Sequence, residues 1–232
     1  MTDKTKYLYG IQPTGRIHVG NYLGGLKLAI EKDAEIMIAD WHALTTSNSH
    51  DIFNSLIDLG ANSVVYQNKE ALPLAWHIQC KTPMSDLERM TQFKSKGASN
   101  VGLFTYPCLM AADIILSKCD EVIVGEDQIQ HMEFYRRTCK RMGVSKIAKT
   151  KLTETSRIMS LSNPEKKMSK SEPKGCLYMN DKDYKKKIMK AVTNNKGRKN
   201  LENICKGLGG EIKESNKELK EEIIRVFNGK RN

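Results

Sequence analysis

Apolar residues along this chain gather in short unbroken runs separated by stretches of helical spacing. Tyr7-Leu-Tyr-Gly-Ile11 reads as a strand that stops at Gln12-Pro-Thr-Gly15, and beyond it Leu23, Leu26, Ala29 and Ile30 recur at the period of a helix over 21–30. Further runs at 34–39, 62–67 and 121–125 predict strands, and the patterns near 51–60 and 126–142 predict helices. Strands alternating with helices predict an α/β fold, a parallel sheet with helices on both faces, and the near-continuous apolar character marks central strands. The segment 71–118 is too long for a simple crossover. Its loop marks at Thr82-Pro83, Gly97 and Tyr106-Pro107 divide it into helices beside the sheet, one starting after Pro107, with a candidate dimer surface. After 146–151 the pattern breaks into a polar Ser-, Lys- and Pro-rich loop, 156–175, expected to be mobile. From Asn180 the pattern is helical again, interrupted at Gly207-Leu-Gly-Gly210 before a last helix over 216–227.

A chain of 232 residues buries a sizeable core without disulfide or metal. Its six cysteines form no C-x-x-C pair and its five histidines lie far apart, so no metal-ligand string is visible and reduced thiols in a cytoplasmic compartment are expected. Thr2 to Lys6 is polar, with no apolar signal region, and no later stretch is long enough to span a bilayer, so no membrane is expected. The formal charge of +11, mostly beyond Pro164, admits two readings. One is a polyanionic partner, RNA first; the other is a solvated lysine-rich surface, since the runs at 185–187 and 196–199 are short.

Four segments carry candidate chemistry. In Thr14-Gly-Arg-Ile-His-Val-Gly-Asn21 the glycines allow a tight turn and close approach of a ligand. The helix opening near Val19 offers unpaired N–H groups, and His18 and Asn21 add donors for phosphate, unless the segment is only a capped turn. Lys167-Met-Ser-Lys-Ser171 places two lysines three apart on a polar turn, where they can clamp phosphates in a transition state or form a solvated charge run. Gly125-Glu-Asp-Gln128 emerges at the carboxyl edge of the sheet. There Asp127 can accept from ribose or an amine and Gln128 can do both, or all four can cap the next helix. In Tyr106-Pro-Cys-Leu-Met-Ala-Ala-Asp113, Met110 and Asp113 share a helix face: an apolar floor with an acid at its edge, suited to an aromatic ring bearing N–H, or an Asp paired with Arg89 or a lysine of its own domain.

Together these segments resemble a known family, the bacterial-type tryptophanyl-tRNA synthetases of class I. His18-Val-Gly-Asn21 looks like its first ATP signature and Lys167-Met-Ser-Lys-Ser171 matches the second. Asp40 to Thr45, Leu87 to Lys94, Thr105 to Ile115, Val124 to His131 and Arg157 to Leu161 follow as family blocks in family order. The resemblance implies a Rossmann-type catalytic domain over 1–180, including the helical insertion and the loop, and a short basic helical region over 181–232 as a reduced anticodon-binding domain. It implies ATP, with Mg2+, as a substrate, no prosthetic group, and L-tryptophan, tRNA(Trp) and a second copy of the chain as partners. Matched position by position, it puts transition-state contacts on His18, Asn21, Lys94, Lys167 and Lys170. Nucleotide contacts fall on Gln12, Thr14, Gly20, Asn21, Gly125, Asp127 and Met168. The amino-acid pocket falls on Leu8, where the family often has Phe, and on His42, Tyr106, Met110, Asp113 and Gln128. The implied activity is tryptophan–tRNA ligation, with tyrosine–tRNA ligation or a non-catalytic RNA-binding or regulatory relative as alternatives.

Overall fold

In the computed structural model, residues 4–45, 50–96, 100–153 and 157–230 are described; Thr2, Gly97 and Ser156, marked in the sequence reading, lie outside them. In chain order the elements are β1 (Tyr7–Ile11), α1 (Val19–Asn21), a wider π turn (Tyr22–Leu26), α2 (Lys27–Glu31), β2 (Glu35–Ile38) and α3 (Asp40–Ala43). Next come α4 (Phe53–Asp58), β3 (Ser63–Tyr66), α5 (Ala71–Lys81), α6 (Met84–Glu88), α7 (Thr91–Lys96), α8 (Val101–Ser117) and β4 (Glu121–Val124). A 3-10 turn (Glu126–Gln128), α9 (Ile129–Met142), β5 (Lys149–Leu152), α10 (Tyr184–Met189), α11 (Asn195–Leu208) and α12 (Asn216–Asn228) complete the chain. They fold into two compact units: Met1–Gly15, Ala29–Phe53 and Asn62–Thr153 form the first, and Arg16–Leu28, Asn54–Ala61 and Glu154–Asn232 the second.

The first unit is built on a five-stranded parallel sheet in the order β3-β2-β1-β4-β5. Register follows from the alternating faces: Leu8 sits beside Glu35 and Ile11 beside Ile38, while Glu121 lies between Tyr7 and Lys149. The order in which strands are added reverses between β1 and β4, and parallel sheets of this order bind ligands beyond the carboxyl ends of the strands at such a reversal. Leu8, Met37, Val122 and Val124 pack with Ala71, Ala75 and Ile78 of α5, Cys108, Ala111 and Ala112 of α8, and Met132, Phe134 and Tyr135 of α9. The alanines let helix backbones approach, and each large apolar side chain fully buried contributes roughly 1.5–3 kcal/mol.

Two features depart from the sequence reading. β5, Lys-Thr-Lys-Leu, extends the sheet where only a break in pattern was expected. An edge strand with lysines on it shows no apolar run, and those same lysines discourage pairing with another chain. α8 starts at Val101, not after Pro107, because Asn100 accepts the Leu103 N–H at 2.8 Å and caps the helix there. Pro107 therefore lies inside the helix, where its missing N–H costs one backbone bond.

In the second unit α11 packs on α12 through Leu201, Ile204 and Leu208 against Leu219, Ile223 and Phe227. Asn194 caps α11 and Ser215 caps α12. The polar segment after Arg157 turns back on itself: Ser160 N–H donates to Lys166 C=O at 2.8 Å and Met168 N–H to Ile158 C=O at 3.1 Å. The buried Asn200 of α11 brackets this turn, accepting Met159 N–H at 2.8 Å and donating to Met159 C=O at 2.9 Å. Asn200→Ala leaves both groups unpaired, and we expect a loss of about 2 kcal/mol in urea unfolding followed by circular dichroism. An unchanged midpoint and slope would show that water replaces the amide.

Candidate active site

The carboxyl ends of β2 and β3 and the C-terminal half of α8 meet at one buried acid. Asp113, 3% exposed, accepts from two donors in three contacts: Gln67 Nε2 reaches Oδ1 at 3.1 Å and Oδ2 at 2.9 Å, and His42 Nε2 lies 3.0 Å from Oδ2. His42 stands on α3, directly after β2, and Gln67 directly after β3, so the sheet edge itself aims both side chains. The expected alternative partner, Arg89, pairs with Asp86 instead, at 3.1 Å. Tyr106, Met110 and Asp113 share one face of α8, and the Tyr106 ring meets His42 edge-on at 6.0 Å between centroids. Leu8 and Asp113 also line a cavity of about 340 Å³, whose other walls include Met37, Val65 and Leu116 but none of His42, Tyr106, Met110 or Gln128.

A second polar chain runs from α8 to the 3-10 turn after β4. Tyr106 Oη donates to Gln92 Oε1 at 3.0 Å, Gln92 Nε2 donates to Asp127 Oδ2 at 3.2 Å, and Gln128 Nε2 donates to the same oxygen at 2.9 Å. A phenol has one proton; with it on Gln92, His131 is the donor in its 2.5 Å contact with Tyr106 Oη. Burial, with the nearby Asp127 charge, raises the Tyr106 phenol well above its usual range and pushes Tyr9 up to about 12, so both stay protonated donors. A Cβ at Gly125 would stand 2.9 Å from Asp127 Oδ1, so a larger residue there would shift the Asp127 carboxylate. Gln12 is exposed just past β1, Thr14 closes the next turn with its N–H on Gln12 C=O at 2.9 Å, and Lys94 is exposed on α7.

The two sequence signatures come together in the second unit. The chain around His18 pairs antiparallel with that around Tyr178, Val19 N–H donating to Leu177 C=O at 2.8 Å and Met179 N–H to Ile17 C=O at 2.9 Å. His18 and Asn21 cap one another: Asn21 N–H donates to His18 Nδ1 and His18 N–H to Asn21 Oδ1, both at 3.2 Å. With Nδ1 accepting, the neutral ring carries its proton on Nε2, a donor suited to an anion. Gly20 permits this arrangement, since a Cβ there would sit 3.0 Å from the His18 ring and 3.7 Å from Met168 Cβ. Met168 is buried and anchors the lysine turn beside Gly20, leaving Lys167 exposed and Lys170 half-buried. Burial, then Lys170, then Lys167 lower His18 from its ordinary 6.5 to about 4. Desolvation likewise lowers the Lys170 ammonium. A neutral histidine pressed by two lysines is a place of positive potential.

A family model described as tRNA synthetases class I (W and Y) matches residues 1–228. The chain belongs to the class I tRNA synthetases for tryptophan and tyrosine. It is 38% identical over 223 residues to a tryptophan–tRNA ligase of Wolinella succinogenes, covering 82% of this chain and 68% of that one. A crystal structure of the Mycoplasma pneumoniae tryptophanyl-tRNA synthetase matches with a TM-score of 0.84 at 28% identity, over 98% of this chain and 87% of the other. The Campylobacter jejuni tryptophanyl-tRNA synthetase complexed with ADP and tryptophan matches with a TM-score of 0.73 at 27% identity, over 98% and 87%.

For this synthetase fold, motif reading named residues by their own chemistry and passed over those that hold them in place. Gln67 ended an expected strand, Gln92 sat unremarked within a family block and Asn200 lay on a basic helix; none has a local pattern that announces a long-range hydrogen bond. Among the described residues, no helix is long and apolar enough to cross a membrane. The His18 shift has a sign. Since the folded ring is held neutral, the unfolded chain binds one more proton between 6.5 and about 4, so stability is full above about 6.5 and falls as pH drops through that window. The contribution amounts to about 2 kcal/mol between about pH 7 and about pH 5. Urea unfolding of the protein and of His18→Asn at both values should show the variant losing that much less; equal losses would remove the charge argument.

Proposed function

We propose that this chain is an ATP-dependent tryptophan–tRNA ligase. Membership of the tryptophan and tyrosine synthetases supports it, as do relatives named for tryptophan. The observation that carries the tryptophan side is the buried Asp113 carboxylate, whose Oδ1 receives one hydrogen bond among the described contacts. A carboxylate oxygen has capacity for a second donor, and the indole N–H supplies it. Met110 forms the floor of the ring site and Leu8 and His42 its walls, while Tyr106 and Gln128 receive the amino group. For the nucleotide, taken as its magnesium complex, the match to the family assigns contacts to Gln12, Thr14, Gly125 and Asp127 of the first unit and to Gly20, Asn21 and Met168 of the second.

The chemistry asks little of side-chain proton transfer. The tryptophan carboxylate is already a nucleophile; it attacks the α-phosphorus of ATP, the bond to the bridging oxygen breaks, and pyrophosphate leaves with the electron pair. Charge moves onto the leaving phosphates, so donors that meet it lower the barrier, the role the family match assigns to His18, Asn21, Lys94, Lys167 and Lys170. A ribose hydroxyl of the tRNA end then attacks the acyl carbon and AMP departs. The exposed lysines of α10 and α11, among them Lys185, Lys186, Lys196 and Lys199, support an RNA-facing role for 181–232. Such a chain works in the cytoplasm as a homodimer. The second copy is supported by an exposed apolar stripe on α5, where Trp76 is 68% and Leu72 51% exposed, with Tyr66 at 56%.

Pyrophosphate exchange into ATP with each amino acid in turn, followed by acylation of tRNA, tests the activity. Exchange should occur with tryptophan, and exchange with tyrosine alone, or with none in folded protein, sinks the proposal. Lys170→Ala should slow exchange by roughly a hundredfold or more with little change in tryptophan binding. Sedimentation of the protein and of Trp76→Glu tests the assembly: a dimer that becomes a monomer is expected, and a monomer in both removes the second copy.

A further inference from the structure

We infer that Gln67 is a positioning and specificity residue, the group that makes the Asp113 pocket accept a ring N–H donor. The inference rests on the proposed role of Asp113 as the ring-reading group. Gln67 is 5% exposed and is pinned at the end of β3 by its own N–H, which donates to Ile38 C=O at 3.2 Å. Its side chain is orientation-locked. Oε1 accepts the Trp41 N–H at 3.1 Å, which leaves only Nε2 to face Asp113, and Nε2 spans both carboxylate oxygens. A flipped amide would set its oxygen against the carboxylate and its NH2 against the Trp41 N–H, losing every bond at once. Gln67 thus ties the end of β3 to the start of α3, where His42 also meets Asp113, and to the C-terminal half of α8.

The direction of these bonds determines what the pocket can bind. Each described partner of Asp113 donates, so the acid functions as an acceptor, and the capacity left on Oδ1 calls for one more donor from the ligand ring. A site that hydrogen-bonds a ring N–H rejects a ring lacking it, because the carboxylate oxygen is then left short of a partner in a buried place. Without Gln67, the carboxylate loses the two contacts that fix its plane, and the selectivity of the site falls with its orientation. A part in bare stability alone would lower activity toward all ligands alike.

The experiment compares tryptophan with its benzothienyl analogue, in which sulfur replaces the ring N–H, by exchange kinetics in the full chain. The unsubstituted protein should prefer tryptophan. In Gln67→Leu that preference should fall about tenfold, in KM with kcat little changed, as expected for loss of a ground-state contact. Gln67→Glu keeps length and the Trp41 contact but sets a carboxyl against a carboxylate. The two then share a proton, and KM for tryptophan should rise with pH across the neutral range, a dependence Gln67→Leu lacks. Preference retained in both variants, or equal losses with both ligands, overturns the role of Gln67. No preference in the unsubstituted protein overturns the Asp113 reading, and this inference with it. Should Gln67→Leu not fold, the presence or absence of the Gln67→Glu pH dependence decides.

Discussion

The arrangement of the first unit turns on one buried carboxylate. Burying an unpaired carboxylate costs several kcal/mol, far more than any single apolar contact returns, so Asp113 is tolerable only where donors surround it. Those donors come from the ends of two adjacent strands, through His42 and Gln67, and they meet α8 in its C-terminal half. The small residues Ala111 and Ala112 beside Asp113 let α8 lie close enough for this to happen. In the proposed reading specificity and stability rest on the same contacts: what makes the acid bearable also aims it.

The second unit reverses the sign of the same physics. Lys167 and Lys170 crowd a histidine that burial has already made reluctant to take a proton, and the result is a neutral donor held beside two cations. The reciprocal cap between His18 and Asn21 orients the ring and leaves its proton on the far nitrogen. The Met168 side chain contributes by packing, and it lies buried between the two lysines beside Gly20. Mutating it would disturb electrostatics through geometry, with no charge removed.

What was legible in the sequence divides along physical lines. The central strands were legible because burial on both faces leaves continuous apolar runs, and the signatures because phosphate and ring chemistry restrict residue type. β5 was not, since an edge strand is selected for charge as much as for pairing, and Lys149 and Lys151 hide its period. The start of α8 was misplaced because Pro107 looks like a boundary, while the actual cap, Asn100, lies in a polar loop where asparagine is commonplace. Gln67, Gln92 and Asn200 were invisible for a different reason. Each acts through bonds to residues far away in the chain, and a glutamine or asparagine in isolation carries no sign of whether it is solvated or locked.

This division bears on how the proposed reaction distributes its binding energy. Recognition of the ring uses groups locked before the ligand arrives: Asp113, His42 and Gln67 are buried and mutually bonded, so little ordering cost remains at binding. The phosphate donors are of two kinds. His18 is buried and fixed, whereas Lys167 is exposed on its turn, free to take up a charge-bearing position only as charge develops. A locked donor stabilises substrate and transition state nearly alike, while one that engages late raises the rate more than the affinity. Rigidity around the ring and freedom at the phosphates thus answer separate demands, selection of the amino acid in the first case and acceleration of its activation in the second.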